Sequence, residues 1–235
     1  MRLIKLMLGA LCFSLVAATA GASPASPVDK EDYITLDKVQ PVAAGHKVEV
    51  TEFFAYWCPH CNAFDPALAE WVKAQGDKIV FKRVPVWFHD GDELLQKMYF
   101  ALEVMGKNED LHKKIFRAFH VDHKPLRDEA SIADFVASQG VDRAKFVDAF
   151  NSFGVQTRVQ RTAQLLKDYH VDGVPLIAID GHFETSPSVL STKLEGRPEP
   201  ELFAATLKVM DWLVARQVKE RSQAVAMVTP AKVKK

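Results

Sequence analysis

Two cysteines three positions apart, in the run Cys58-Pro59-His60-Cys61, are the residues of this chain best suited to chemistry. Thiols at that spacing can close a small disulfide ring, and a disulfide is exchanged when a thiolate attacks one of its sulfurs. A free thiol ionises near pH ~8.5, so a cysteine that works near neutrality needs surroundings that favour its anion. An apolar run ends at Trp57 and a helical period begins at Cys61, which places Cys58 at a helix N-terminus, facing unpaired backbone N–H groups and the positive end of the helix dipole. Pro59 suits the first helical turn, where a missing N–H does no harm. His60, if its ring lies near the sulfur, can donate a hydrogen bond or carry a positive charge. Cys61, one turn further on, is expected to lie deeper than an exposed Cys58 and to resolve the mixed disulfide. A Cys58 pKa of about 4 would give the reduced form ~4 kcal/mol at pH 7, or about 85 mV of oxidising power in a two-electron couple.

The only other cysteine is Cys12. Residues 1–22 read as a cleavable signal peptide: Arg2 and Lys5 are basic, Leu6 to Ala20 is apolar, and small residues follow at a cleavage site. The apolar stretch falls short of the roughly 20 residues of a membrane span, and Leu11 before Cys12 argues against lipid attachment. The mature chain then holds about 210 residues with two cysteines, in an exported and oxidising compartment. Thirty basic residues against thirty acidic ones leave no net charge, so no nucleic acid partner is expected. With 48% apolar residues, the chain can bury one substantial core with an added lobe.

The elements that must position the cysteines are legible in the spacing. Val48 to Phe54 is β-branched and aromatic with few polar breaks, as in a strand buried on both faces. Phe64, Leu68, Trp71 and Val72 line one face of the following helix, and Ile79 to Val86 forms a second strand, closed by Trp87-Phe88 and the turn-forming Asp90-Gly91-Asp92. The order is β-α-β. Apolar spacings of three and four then predict helices over Leu94–Met105, Leu111–Phe119, Ile132–Val136, Phe146–Phe153 and Gln156–Tyr169, with Gly106 and Gly140 as C-terminal caps and Ser131 and Asp142 as N-caps. Val174 to Ile179, Asp180-Gly181 and His182-Phe183 read as strand, hairpin turn and return strand. Pro198-Glu199-Pro200-Glu201 opens a last helix with Phe203, Leu207, Met210 and Val214 on one face.

This sequence resembles the DsbA family of periplasmic thiol:disulfide oxidoreductases over about residues 30–220, in its strand, Cys58-Pro59-His60-Cys61, helix, helical insertion and later Gly173-Val174-Pro175. The fold class so implied is α/β, a thioredoxin fold with an inserted all-helical domain. The thioredoxin-like part would span residues 30–90 and 163–220, the insertion 91–162, and a flexible tail 221–235. The resemblance implies a low thiol pKa and strong oxidising power, the same direction as the helix-terminus effect on Cys58. It also implies that Pro175 is cis and lies beside the cysteines, although an X–Pro bond is cis in only about 5–6% of cases. Val174, unable to hydrogen-bond near the thiolate, would be an oxidase-like choice. Glu52, from its residue type a strand carboxylate without a role, would be a buried acid near Cys61 that assists proton transfer. Its basic partner would be Lys82 or Arg83, either of which reads from residue type as a solvated edge residue.

Trp57 fits an apolar substrate-facing rim or packed core equally well. His112, His120 and His123 read as surface histidines, with no metal site expected, because no cysteine or ordered carboxylate set accompanies them. A structural zinc site at the CxxC would need a second close pair of ligands, which the chain lacks. A thioredoxin-fold isomerase or reductase is the closer alternative, although the short leader leaves no room for the N-terminal dimerisation domain of such isomerases. A non-catalytic periplasmic holdase would keep its activity without either cysteine. The expectation is therefore a monomeric oxidoreductase. It would need no cofactor beyond its Cys58–Cys61 disulfide, would act on unfolded exported proteins with free cysteines, and would be reoxidised by a DsbB-type membrane oxidase.

Overall fold

The computed structural model describes residues 26–89 and 91–228. The proposed signal peptide with Cys12, Asp90 of the predicted turn, and the last seven residues lie outside the described residues. In chain order the elements are β1 (Ile34–Thr35), β2 (Val48–Phe54), α1 (Pro59–Gln75), β3 (Ile79–Pro85), α2 (Asp92–Val104), α3 (Asn108–His120), α4 (Glu129–Ser138), α5 (Arg143–Phe150), α6 (Phe153–Asp168), β4 (Leu176–Ile179), β5 (Phe183–Thr185), α7 (Pro187–Ser191) and α8 (Glu199–Val228). The fold is a thioredoxin-type sheet with helices on its faces and a helical insertion, α2 to α6, between β3 and β4.

The sheet order is β1-β5-β4-β2-β3. Strands β2 and β3 are parallel, joined through α1, while β2–β4, β4–β5 and β1–β5 are antiparallel. Every residue of β2 is buried, as its nearly unbroken apolar sequence requires of a strand covered on both faces. On one face Val48, Val50, Ile177 and Ile179 meet Phe64 and Leu68 of α1 and Val209, Met210 and Leu213 of α8. A second core, reached by Phe53 and Ala178 from the other face and by Phe54 at the end of β2, includes Met98, Leu102, Ile115, Ile132 and Phe146 of the insertion, and Cys58 and Cys61 belong to it. Each of these large side chains adds about 1.5–3 kcal/mol by leaving water, so the site is anchored where the chain is most tightly packed.

The hairpin between β4 and β5 is sharp, with Asp180 at φ 55° and Gly181 at φ 66°. A Cβ on Gly181 would lie 2.1 Å from the Gln40 carbonyl oxygen, so only glycine lets the two backbones meet there. Asp180 in turn holds the far end of the molecule. Its carboxylate accepts from Arg221 Nε at 2.9 Å and from Nη2 of the same guanidinium at 2.6 Å.

That pair explains one departure from the sequence reading: α8 runs on to Val228, through residues 221–228 that were expected in a flexible tail. Three others concern the insertion. The run Phe146–Phe153 is broken, because α5 ends at Phe150 and the Ser152 hydroxyl caps a separate helix, accepting from the Val155 N–H. Asp128, not Ser131, is the N-cap of α4, with Ser131 as the third member of a capping box. The helix α6 is continuous across 162–163, so the boundary drawn there falls inside one element. Gly106, Gly140 and Asp142 occupy the capping positions expected of them.

Candidate active site

Cys58 is the N-cap of α1, as the junction of strand and helix requires, with Pro59 in the first turn. Its sulfur accepts the Cys61 backbone N–H at 3.2 Å, and its thiol points at the Val174 carbonyl oxygen, 3.5 Å away. The Val174–Pro175 bond is cis. Both cysteines are reduced and buried, Cys58 being 3% exposed and Cys61 0%. The exposed Cys58 expected from sequence is thus a sulfur barely reached by solvent, although Cys61 is the deeper of the two.

The Cys58 pKa is lowered to about 7, chiefly by a hydrogen bond from the Cys61 thiol, against burial, with further help from the backbone N–H groups of Cys61 and His60. At pH 7 this gives the reduced form only about 0.4 kcal/mol, or roughly 9 mV, far from the ~4 kcal/mol that a pKa of 4 would give. Two features account for the difference. Burial penalises the anion, and the His60 ring acts on the sulfur only through its charge: its Nδ1 lies 2.5 Å from Glu199 Oε1 at the start of α8, and the side chain is 66% exposed. Cys61 is pushed far up by burial, by its bond to Cys58 and by the charge of Cys58. The pair is therefore split into one sulfur that ionises near neutrality and one that holds its proton.

Behind the cysteines lies a buried polar cluster. Glu52 is 1% exposed and accepts from Arg83 Nε at 2.9 Å. Arg83, not Lys82, is its partner. Residues 82 and 83 point to opposite faces of β3, and Lys82 pairs instead with Glu49 at 2.6 Å. Nor is Arg83 a solvated edge residue: its side chain is 8% exposed although β3 is an edge strand. The same guanidinium reaches Asp65 of α1 at 3.1 Å. Burial works against the Asp65 anion, but His112 and Arg83 outweigh it and hold that carboxyl below its usual range. Burial pushes Glu52 up to about 7, despite Arg83 and with Asp65 adding to the rise. One cation shared by two acids leaves Asp65 charged and Glu52 ready to take or give a proton near neutrality. The charge of Glu52 adds to the rise of Cys61, and the charge of Cys58 adds in turn to the rise of Glu52.

His112 is another correction. It is buried, not on the surface, with Nδ1 3.1 Å from the Tyr56 hydroxyl and Nε2 3.2 Å from Asp65, the latter poorly aligned for a hydrogen bond. His120 meets the Tyr56 carbonyl at 2.9 Å. The insertion is thereby bonded to the backbone just before the CxxC. Trp57 is half-buried and meets Phe88 and His89 edge-on, as part rim and part core. Sequence reasoning missed Asp65, Tyr56 and Glu199. Asp65 at four residues beyond Cys61 was the one available signal, because positions i and i+4 share a helix face. Beside Cys58 opens a groove of about 810 Å³, lined by His60, Val174, Pro175, Glu184 and Leu202 among others. Among the described residues no three His, Cys, Asp or Glu side chains cluster as metal ligands do.

Comparison with known proteins gives a consistent result. The DSBA-like thioredoxin domain family matches residues 89–208 and the thioredoxin family residues 36–94. The chain is 42% identical to the thiol:disulfide interchange protein DsbA of Burkholderia cepacia over 212 residues, 90% of this chain and 95% of that protein. It is 39% identical to the protein of the same description from Bordetella parapertussis, over 89% of this chain and 96% of that one. The crystal structure of Pseudomonas aeruginosa DsbA superposes with a TM-score of 0.72 at 33% identity, covering 83% of this chain and 94% of that chain.

Proposed function

We propose, from the premise that this chain belongs to the DsbA-like thioredoxin family and is a disulfide-donating thiol:disulfide oxidoreductase, that it hands its Cys58–Cys61 disulfide to newly exported proteins in the periplasm. The observation that carries the assignment of roles is the split between the two sulfurs, one held as a near-neutral anion at the helix N-terminus and the other buried with its proton.

In the first step a substrate thiolate attacks Cys58 Sγ. A bond forms between the two sulfurs, the Cys58–Cys61 bond breaks, and the electron pair leaves on Cys61. A thiolate at that buried position is costly, and Glu52 is the nearby acid able to supply the proton. In the second step a second substrate thiolate attacks the substrate sulfur of the mixed disulfide, and Cys58 leaves as the anion that Cys61 and the His60 backbone stabilise. The substrate dithiol loses two electrons and the enzyme disulfide gains them. Release in this direction therefore comes from the substrate's second thiol, not from Cys61 as the spacing had suggested. Attack by Cys61 would restore the enzyme disulfide and return the substrate unoxidised. Burial of Cys61 works against that reversal, because a protonated thiol is a poor attacking group.

The redox group is the cysteine pair itself, with no added cofactor, and the reduced enzyme returns its two electrons to a DsbB-type membrane oxidase. Residues 1–22 would direct export. The test is to mix the oxidised mature chain with a reduced, unfolded cysteine-containing protein and count the thiols lost. The expected result is one substrate disulfide per enzyme disulfide consumed, with none formed by a Cys58→Ser variant. An equilibrium with glutathione that leaves the enzyme harder to reduce than ordinary thioredoxin overturns the direction of transfer.

A further inference from the structure

The groove beside Cys58 contains an acidic group that the exchange reaction does not use. Glu184, on the short strand β5, is 8% exposed, and its Oε1 is sealed from solvent with no hydrogen-bond partner among the described residues. The other buried acids are answered. Glu49 has Lys82, Glu52 and Asp65 share Arg83, Asp32 has Lys193 and Asp180 has Arg221. Asp92 accepts two backbone N–H groups. Glu184 has no such counterpart, and a buried acceptor without a donor is unfavourable in either charge state. Burial, and then the negative charge of Asp172, push its pKa up to about 7.

Of the basic residues that line the groove, none of His60, His170 and Arg197 forms an ion pair with Glu184 among the described residues. Arg197 is paired with Glu201, and the His60 ring with Glu199. Asp172, in the segment before β4, and Glu199, which is paired with His60, line the same groove and bring its acids to three. An occupant carrying a positive, multiply donating group would give Glu184 the counter-charge it lacks and neutralise Asp172 with it. An aliphatic side chain at the same place would leave the carboxyl without a counter-charge, and an acidic one would add a like charge.

We propose that Glu184, with Asp172 beside it, is a recognition point for a lysine or arginine side chain of the polypeptide bound in this groove. Exchange at Cys58 thereby favours cysteines flanked by basic residues. This inference rests on the oxidoreductase reading above. Because the chain is formally neutral as a whole, long-range steering of cationic substrates is weak and the preference is local to the groove.

The experiment compares two synthetic dithiol peptides, identical except that lysines on both sides of the cysteine pair in one are methionines in the other. The second-order rate of disulfide transfer from the oxidised mature chain is measured for each. The expected result is a rate about tenfold higher for the lysine peptide, the effect of one hydrogen bond to a charged group, falling to within about twofold in Glu184→Gln. The ratio is taken within each variant, so a loss of active protein cancels. Equal rates for the two peptides, or the same preference in Glu184→Gln, overturn the inference. Dithiothreitol separates the two levels of argument. Failure of the wild-type chain to oxidise it defeats the oxidoreductase reading, whereas ready oxidation together with equal peptide rates defeats only the role of Glu184.

Discussion

Replacing Cys61 by alanine and, separately, by serine tests how the Cys58 anion is held. The largest influence lowering its pKa is the Cys61 thiol hydrogen bond, with the backbone N–H groups of Cys61 and His60 behind it. Serine keeps a donor at the same position, whereas alanine removes it and leaves the backbone groups in place. A hydrogen bond to a charged group contributes about 1.5–3 kcal/mol, and ~1.36 kcal/mol corresponds to one pH unit. The serine variant should therefore titrate near the wild-type value of about 7, and the alanine variant at least about one pH unit higher. At pH 7 the thiolate fraction would fall from about one half to about one tenth or less. Thiolate ultraviolet absorbance against pH reads this directly. In the wild type a single step should appear below pH ~10, because Cys61 is pushed far above the range of a free thiol. Coincident midpoints for the alanine and serine variants would refute the proposed source of stabilisation. A wild-type midpoint near that of a free thiol would refute the stabilisation itself, and one near 4 would restore the stronger effect expected from sequence.

The same titration has a thermodynamic counterpart. Because the folded Cys58 pKa lies below the unfolded one, its contribution is complete above pH ~8.5 and is lost as pH falls through 7. The reduced form should thus gain about 1 kcal/mol relative to the oxidised form between pH 6 and 8.5, and lose it again toward pH 10, where Cys61 ionises only in the unfolded chain; denaturant unfolding of each form reads this, and a constant difference would contradict the shifts. Arg83→Met should destabilise the protein by about 3–5 kcal/mol, since it strands two buried carboxylates, and a loss under 1 kcal/mol would mean that the cluster is hydrated. Glu52→Gln should slow the first exchange step while leaving the thiolate midpoint of Cys58 no higher than its wild-type value, and stopped-flow rates equal to wild type would remove it from proton transfer. Val174→Thr should weaken oxidation or slow substrate release by placing a hydroxyl next to the Cys58 sulfur, and unaltered turnover would reduce Val174 to packing.

The parts of this architecture that were legible in the sequence are those set by local physics. Buried β2 and the amphipathic α1 follow from apolar spacing, and Cys58 falls at their junction whatever the rest of the chain does. Capping was nearly legible. Asp128 and Ser131 are both good caps three residues apart, and only the backbone shows which one starts α4. The acid–base cluster was not legible, because it depends on which face of an edge strand is covered. Lys82 and Arg83 are chemically alike and adjacent, and the choice between them is made by α1 and α3 packing over one side. Asp65 and His112 look like ordinary polar positions on helix surfaces until those two helices are seen to face each other. The His60–Glu199 bond joins residues 139 apart in sequence, so no local pattern could announce it.

That separation has a consequence for the newly made chain. The wall around Cys58 is assembled from distant parts: Arg83 behind it, Val174 against the sulfur, and Glu199 on the His60 ring. A polypeptide that has emerged just past Cys61 presents two thiols without the folded helix or the distant groups that tune them. Until the final third of the chain follows, those thiols have ordinary reactivity, open to unselective pairing with whatever sulfur they meet. Selectivity arrives late, when β4 closes against β2 and the last helix docks.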